Sequence, residues 1–337
     1  MKISGSLICN LRAVPHKIQE MDALGYDAAF SAEINNDPFF PLLLAAEHSK
    51  TIGLHTSISV AFARNPMNMA NLAHDLNQYS QGRFTLGLGS QIKPHIEKRF
   101  SMPWSRPAPR MREYILAMRA IWNCWHNDEP LKFHGEFYRH TLMTPMFVPA
   151  DKEFGAPKVA LAAVGPVMTE VAGEVADGLI AHGFTTPKYL REVTLPALQK
   201  GFAKGGRQRE QFDICCPVMV VSGHDKEEKE ASLNTIRQQL AFYGSTPAYR
   251  RVLEVHGWGD VGDELNELSK QGKWVEMGLL LTDEMVNEFA IVAEPDNIAA
   301  ELHTRYGDLI DGWLCTYESG DIDEQSMLIR AVRNHAE

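Results

Sequence analysis

The chain reads as an α/β protein, a (β/α)8 TIM barrel with insertions, on three observations. Short apolar or β-branched runs occur eight times, amphipathic helical stretches separate them, and turn or cap residues mark the joins. The first run, Lys2–Cys9, leads to a helical pattern at His16–Leu24, stopped by Gly25 just before a second run at Ala28–Ser31. Pro41 opens a helical stretch to Ile52, and Leu54–Ala61 reads as the third strand. Pro66 starts the next helix, Met67–Tyr79, and Gly82 separates it from a fourth strand at Arg83–Gly89. A long helix at Arg110–His126 precedes the fifth strand, Lys158–Ala162. Pro166–Ala176 is helical and leads to Gly178–Ala181; Pro187–Lys204 leads to Asp213–Val221; Lys226–Tyr243 and Ile298–Tyr306 precede Asp311–Tyr317. Asp323–Asn334 closes the chain as a helix.

A minimal barrel needs about 250 residues. The 337 present therefore carry insertions, read near 127–152, where Leu131–Tyr138 is hairpin-like, and near 244–293, within one domain spanning 1–337. The rival fold, a doubly wound open sheet, calls for a GxGxxG turn after the first strand, and Cys9-Asn10-Leu11-Arg12 offers none.

Composition narrows the function. No apolar run approaches the roughly 18 to 20 residues of a spanning helix, and the N-terminus lacks a secretion signal. Five scattered cysteines without a CxxC point to a reduced, cytoplasmic setting and to no structural metal. A net charge of -10 argues against nucleic acid as a partner, so a small-molecule substrate is expected. Within this acidic chain, Lys93, Lys98, Arg99, Arg106, Arg110 and Arg112 stand against Glu97 alone, either a solvated helix face or a landing site for an anionic ligand.

In a barrel the chemistry sits at the C-terminal ends of the strands. After the second strand come Glu33 and Asn35; Glu33 reads either as a buried acid of raised pKa or as a carboxylate tying the rim to an arginine. The third strand ends in small hydroxyl and β-branched residues, Ser57-Ile58-Ser59-Val60, which suit either close approach to a flat ring or plain packing. Gly89, Ser90 and Gln91 end the fourth strand. Ala163 and Gly165 stand at one helix start, His182 and Gly183 just before another, and such starts present unpaired amides to a phosphate. His182 reads either as a phosphate or proton partner or as a cap of its own loop. Hydrolase elbows, zinc-protease motifs and P-loops are missing from the sequence.

The run Gly82-Arg83-Phe84-Thr85-Leu86-Gly87-Leu88-Gly89-Ser90-Gln91 and the later Ala176-Asp177-Gly178-Leu179-Ile180 resemble the luciferase-like monooxygenase superfamily. His95–Phe100, Met102–Ser105 and Arg110–Glu113 resemble its coenzyme F420-dependent oxidoreductase subgroup. The resemblance implies a barrel with a ring-shaped cofactor in the central cavity, backed by a non-prolyl cis peptide within Ser57–Val60. By the same match Gly89, Ser90, Gln91 and His95 would line the cofactor tail, and Ala163, Gly165, His182 and Gly183 its phosphate. The chain departs from the pattern where many relatives carry a histidine after the acidic residue, since Ile34 follows Glu33. Gln91-Ile92 likewise replaces the glutamate of sugar-phosphate dehydrogenases, which disfavours that activity. Glu33, Asn35 and His95 stand in as candidate catalytic residues. The expected function is hydride transfer between F420 and an organic substrate. Flavin mononucleotide (FMN) with dioxygen, in a monooxygenase, is the first alternative, and a non-catalytic binding barrel the second. The resemblance also implies a homodimer or larger homo-oligomer.

Overall fold

The computed structural model describes residues 1–334. Eight parallel strands form a closed ring: β1 (Lys2–Ser6), β2 (Ala28–Ser31), β3 (Gly53–Thr56), β4 (Phe84–Gly89), β5 (Lys158–Ala163), β6 (Gly178–Ala181), β7 (Asp213–Cys216) and β8 (Gly312–Cys315). Each pairs with its neighbours in sequence, and β8 pairs back onto β1, with Lys2 opposite Gly312. Helices α1 (Val14–Leu24), α2 (Phe39–His48), α3 (Pro66–Tyr79), α4 (Pro107–Asn127), α5 (Pro166–Val175), α6 (Leu195–Gly205), α7 (Lys226–Gly244), α8 (Ile298–Tyr306) and α9 (Ile322–Asn334) follow the strands in turn.

Period-two alternation along the strands divides the side chains between two cores. Ile3, Ala29, Leu161, Leu179, Ile214 and Trp313 point outward into the main core shared with the helices. Phe30, Ile180 and Leu314 point inward and fill the barrel interior with Ala160, Ala162 and Cys215. At the N-terminal end, three aspartates sit one residue ahead of a strand and accept an amide from the strand before it. Asp27 takes Ile3 N–H (2.8 Å), Asp177 takes Val159 N–H (2.9 Å) and Asp311 takes Ile214 N–H (2.7 Å). Arg83, ahead of β4, instead donates to the carbonyls of Ala46, Ser49, Ile52 and Ser80, closing the ends of the α2 and α3 connections.

Several boundaries differ from the sequence expectation. The third strand is not continuous to Ala61: β3 stops at Thr56, pairing resumes at Ser59–Val60, and Ala61–Ala63 is a 3-10 turn. Asp213–Val221 breaks at Pro217, which has no N–H for a ladder, and Met219–Val221 pairs separately with Ala290–Val292. The helix expected from Pro187 begins as one turn and a π-turn at Leu190–Thr194 before α6. Pro41 lies inside α2, which starts at Phe39.

The two inserted segments are both structured. Phe133–His134 and Arg139–His140 form a short antiparallel hairpin, whose turn amides at Glu136, Phe137 and Tyr138 all donate to the Glu113 carboxylate on α4. The stretch after α7 is helical (Arg250–Glu254, Gly259–Lys270, Trp274–Leu279, Asp283–Phe289), and it packs with α7 around a second core of Leu240, Val252, Leu253, Leu265, Val286 and Phe289.

Closure of the ring depends on Gly87. An ideal Cβ there would lie 1.8 Å from Thr56 O, a backbone atom that cannot move aside without opening the β3–β4 pairing. Gly87→Ala is therefore expected to destabilise the fold by about 3 kcal/mol or more, read as a large fall in unfolding temperature; a variant that melts like the parent would show that β3 and β4 yield at this point.

Candidate functional site

A cavity of about 1180 Å3 opens over the C-terminal ends of the strands. Its barrel side is formed by Ser57 and Ile58 after β3, Gly89, Ser90 and Gln91 at β4, Ala163 to Gly165 after β5, and His182 and Gly183 after β6. The facing side comes from α7, where Ser232, Ile236, Gln239 and Tyr243 recur at helical spacing on one face, and from Tyr249 in the turn beyond.

The Ser57–Ile58 wall is a bulge. His55 pairs with Thr85 and Ser59 with Leu88, so four steps along one strand match three along the other, and one residue is extra. The Ser57–Ile58 peptide is cis, within the range the family resemblance implied. The bulge is fixed on both flanks. Ser57 N–H donates to Ser31 O (2.7 Å), and Ile58 O accepts from Glu33 N–H (3.0 Å). The Glu33 carboxylate then accepts from Val60 N–H (2.8 Å) and from Arg64 (2.7 Å). Opposite, Gly89 has no side chain, and a Cβ there would meet the Ile58 side chain at 2.8 Å. Ile58 can thus lie flat across the strand end.

The other end of the barrel wall is a helix start. Gly165 is the N-cap of α5, makes no side-chain capping bond, and a Cβ on it would meet nothing within 4 Å. Beside it, His182 packs between Tyr243 and Tyr249, with ring centroids 4.7 Å from each. Its Nδ1 accepts the Phe184 N–H (2.9 Å), which assigns the proton to Nε2 and makes that atom a donor. Burial pushes its pKa down to about 4, so the ring is neutral near pH 7. His182 thus caps its own loop, one of the two sequence readings, and it also lines the cavity.

The candidate residues divide. Ser57, Ile58, Gly89, Ser90, Gln91, Ala163, Gly165, His182 and Gly183 come together on one wall. Ser59 and Val60 are buried behind it. His95 does not join them: it is exposed at the start of the π-turn His95–Arg99, because Ile96 is the residue that anchors this turn in the core. Asn35 is also exposed, held only to Asn36. Glu33, with a side chain 7% exposed, is the tying carboxylate and does not border the cavity. None of the three candidate catalytic residues therefore faces the space where a ligand fits. The basic segment also departs from a landing site. Arg106 pairs with Glu136, Arg112 with Glu174 (2.7 Å), and Arg110 is buried over Phe62 with bonds to Pro103 O and Tyr138 OH, which leaves only Lys93 on the cavity lining. Sequence reasoning missed Tyr243, Tyr249, Ser222 and Tyr317. The spacing of residues 232, 236, 239 and 243 was a usable signal for the first of these.

Comparison with known proteins fits this arrangement. Residues 5–312 match the sequence model of the luciferase-like monooxygenase family, and the chain belongs to that family. It is accordingly an oxidoreductase of the luciferase-like class. An uncharacterized protein of Mycobacterium tuberculosis (strain H37Rv) is 51% identical over 92% of both chains. A 5,10-methylenetetrahydromethanopterin reductase of Archaeoglobus fulgidus is 28% identical over 80% of this chain and 78% of its own. Among solved structures, the coenzyme F420 dependent tetrahydromethanopterin reductase of Methanopyrus kandleri superposes with a TM-score of 0.78 at 20% identity, covering 98% of this chain and 96% of its own. No helix among the described residues is long and apolar enough to cross a membrane.

Two predictions follow from these contacts. Glu33→Gln removes the carboxylate that Arg64 and the Val60 amide share and leaves Arg64 with Asp37 (3.0 Å) alone, and it is expected to cost about 2 kcal/mol in urea unfolding; a general acid with no structural part would leave stability unchanged. His55, inside the barrel beside Phe30, and His182 are both held by burial at about 4 instead of 6.5. Below pH 6.5 the unfolded chain takes up protons that the folded one refuses. Stability is thus constant above about pH 7 and falls by on the order of 3 kcal/mol per histidine between pH 6.5 and 4, and His55→Gln should flatten that slope.

Proposed function

We propose that the protein transfers a hydride between the deazaflavin F420 and a small organic substrate. The observation that carries this reading is the barrel wall itself: a flat surface made by Ile58 against a side-chain-free Gly89, continuing to an uncapped helix start at Gly165. Ile58 and Gly89 would back the ring. Gly165, Gly183 and the Nε2–H of His182 would hold the phosphate, with the positive end of the α5 dipole adding to the attraction. When bound, F420 supplies the hydride chemistry, while the protein orients the partners and keeps water from between them. The 28% identity to a methylenetetrahydromethanopterin reductase supports this class of reaction.

A second reading is a monooxygenase that uses reduced flavin mononucleotide and dioxygen. It is favoured by one observation: Arg106, Arg110 and Arg112 are tied up within the protein and so do not serve the acidic tail of F420, whereas FMN presents only a phosphate.

Parallel titrations with F420, FMN and nicotinamide dinucleotides, followed by cofactor fluorescence and thermal shift, test the proposal. Micromolar binding of F420 is expected. Gly165→Val, whose Cβ would meet no protein neighbour within 4 Å, should lower that affinity by about tenfold or more with little change in the unfolding temperature. Selective FMN binding would favour the second reading, and binding of none would overturn both.

A further inference from the structure

In a closed ring of eight strands, β7 lies across the barrel from β3, so the segment that continues β7 faces the Ile58 wall from the far side of the cavity. That segment ends in Ser222. The residue is 6% exposed and borders the cavity, and its Oγ makes no hydrogen bond of regular geometry among the described residues, the Tyr317 phenol being the polar group beside it. Its backbone N–H donates to Ser232 Oγ at 3.4 Å. Tyr317, just past β8, stands beside it on the same lining. Burial raises the Tyr317 phenol above its ordinary range while the Ser222 hydroxyl opposes that rise, so Tyr317 keeps its proton at neutral pH.

The surroundings define what these two hydroxyls are able to bind. Met219, Val220, Ile236, Tyr243 and Tyr249 give an apolar body to this half of the cavity. The formally charged groups on the lining, Lys93 and Glu318, have side chains 62% and 66% exposed and lie near Glu97 (3.9 Å) and Lys17 (2.7 Å) respectively. An anionic substrate group set against Ser222 would meet no buried counter-charge, which is heavily penalised. We propose that Ser222 and Tyr317 form the recognition point for an uncharged oxygen function, a hydroxyl or carbonyl, on a substrate with an apolar body. This rests on reading the cavity as the site of cofactor and substrate together.

The test uses 1-phenylethanol and acetophenone as neutral probes and benzoate as the anionic one, titrated calorimetrically into the full-length protein with and without F420. The neutral probes are expected to bind more tightly than benzoate. Ser222→Ala and Tyr317→Phe should each weaken them on the order of 5- to 10-fold, with Ser222→Thr restoring affinity and F420 binding unchanged in all three. If F420 binds but benzoate is preferred, no neutral probe binds, or both variants bind the neutral probes as the parent does, this inference is overturned and the cofactor reading stands. If F420 itself fails to bind the parent protein, it is the cofactor reading that falls, while a neutral preference that depends on Ser222 and Tyr317 would still support the recognition point.

Discussion

Strands β3 and β4 approach each other at the one place where residue 87 has no side chain, and much of the molecule follows from that approach. Thr56 Oγ1 and the backbone of Gly87 exchange bonds of 2.7 and 2.8 Å across the contact. The next residues of β3 then have no room to continue as a regular strand, since one more of them must be accommodated than β4 offers. The chain bulges at Ser57 and Ile58, and this puts an aliphatic side chain at the rim, packed against the barrel interior, instead of another rung of sheet. Glu33 and Arg64 hold that bulge from behind. A carboxylate that the sequence suggests as a catalyst is thus part of the scaffolding of the site.

The two ends of the barrel carry different duties. Asp27, Asp177 and Asp311 tie odd strands to even ones at the N-terminal end, in polar contacts far from the cavity. Burial works against the ionised form of Asp177, but Arg119, the Val159 amide and Arg207 outweigh it and hold its pKa below the usual carboxylate value. At the C-terminal end Gly165 leaves open space, while Gly89 and Gly183 let Ile58 and the Pro217–Met219 segment approach closely. Stability is concentrated where no ligand binds, and the rim is left open for one.

The sequence disclosed the barrel because strand and helix periods alternate cleanly and because glycines and prolines fall at the joins, as Gly25, Pro66 and Pro166 do. It also disclosed the barrel-side wall of the cavity, whose residues are contiguous with strand ends. What it concealed has a common physical origin. The breaks at Thr56 and Pro217 lie inside runs that are apolar throughout, where hydropathy does not distinguish a ladder from a bulge. His95 and Asn35 are polar residues in rim loops, and composition does not say which way such a loop turns; here Ile96 decides by taking the buried place. Tyr243, Tyr249, Ser222 and Tyr317 come from four separate segments, and only the folded chain brings them to one cavity.

The inserted helices after α7 do more than lengthen the chain. They have a core of their own, and the cavity runs along the seam between that core and the barrel. One face of the seam is constrained by backbone geometry, since a side chain at Gly87 would meet the Thr56 carbonyl and one at Gly89 would meet Ile58. The other is made of side chains on a helix, where an exchange at Gln239 or Ile236 leaves every ladder intact. Such a division lets one half drift under selection while its opposite stays fixed, so the same rim is able to serve successive substrates in different descendants without the barrel being rebuilt.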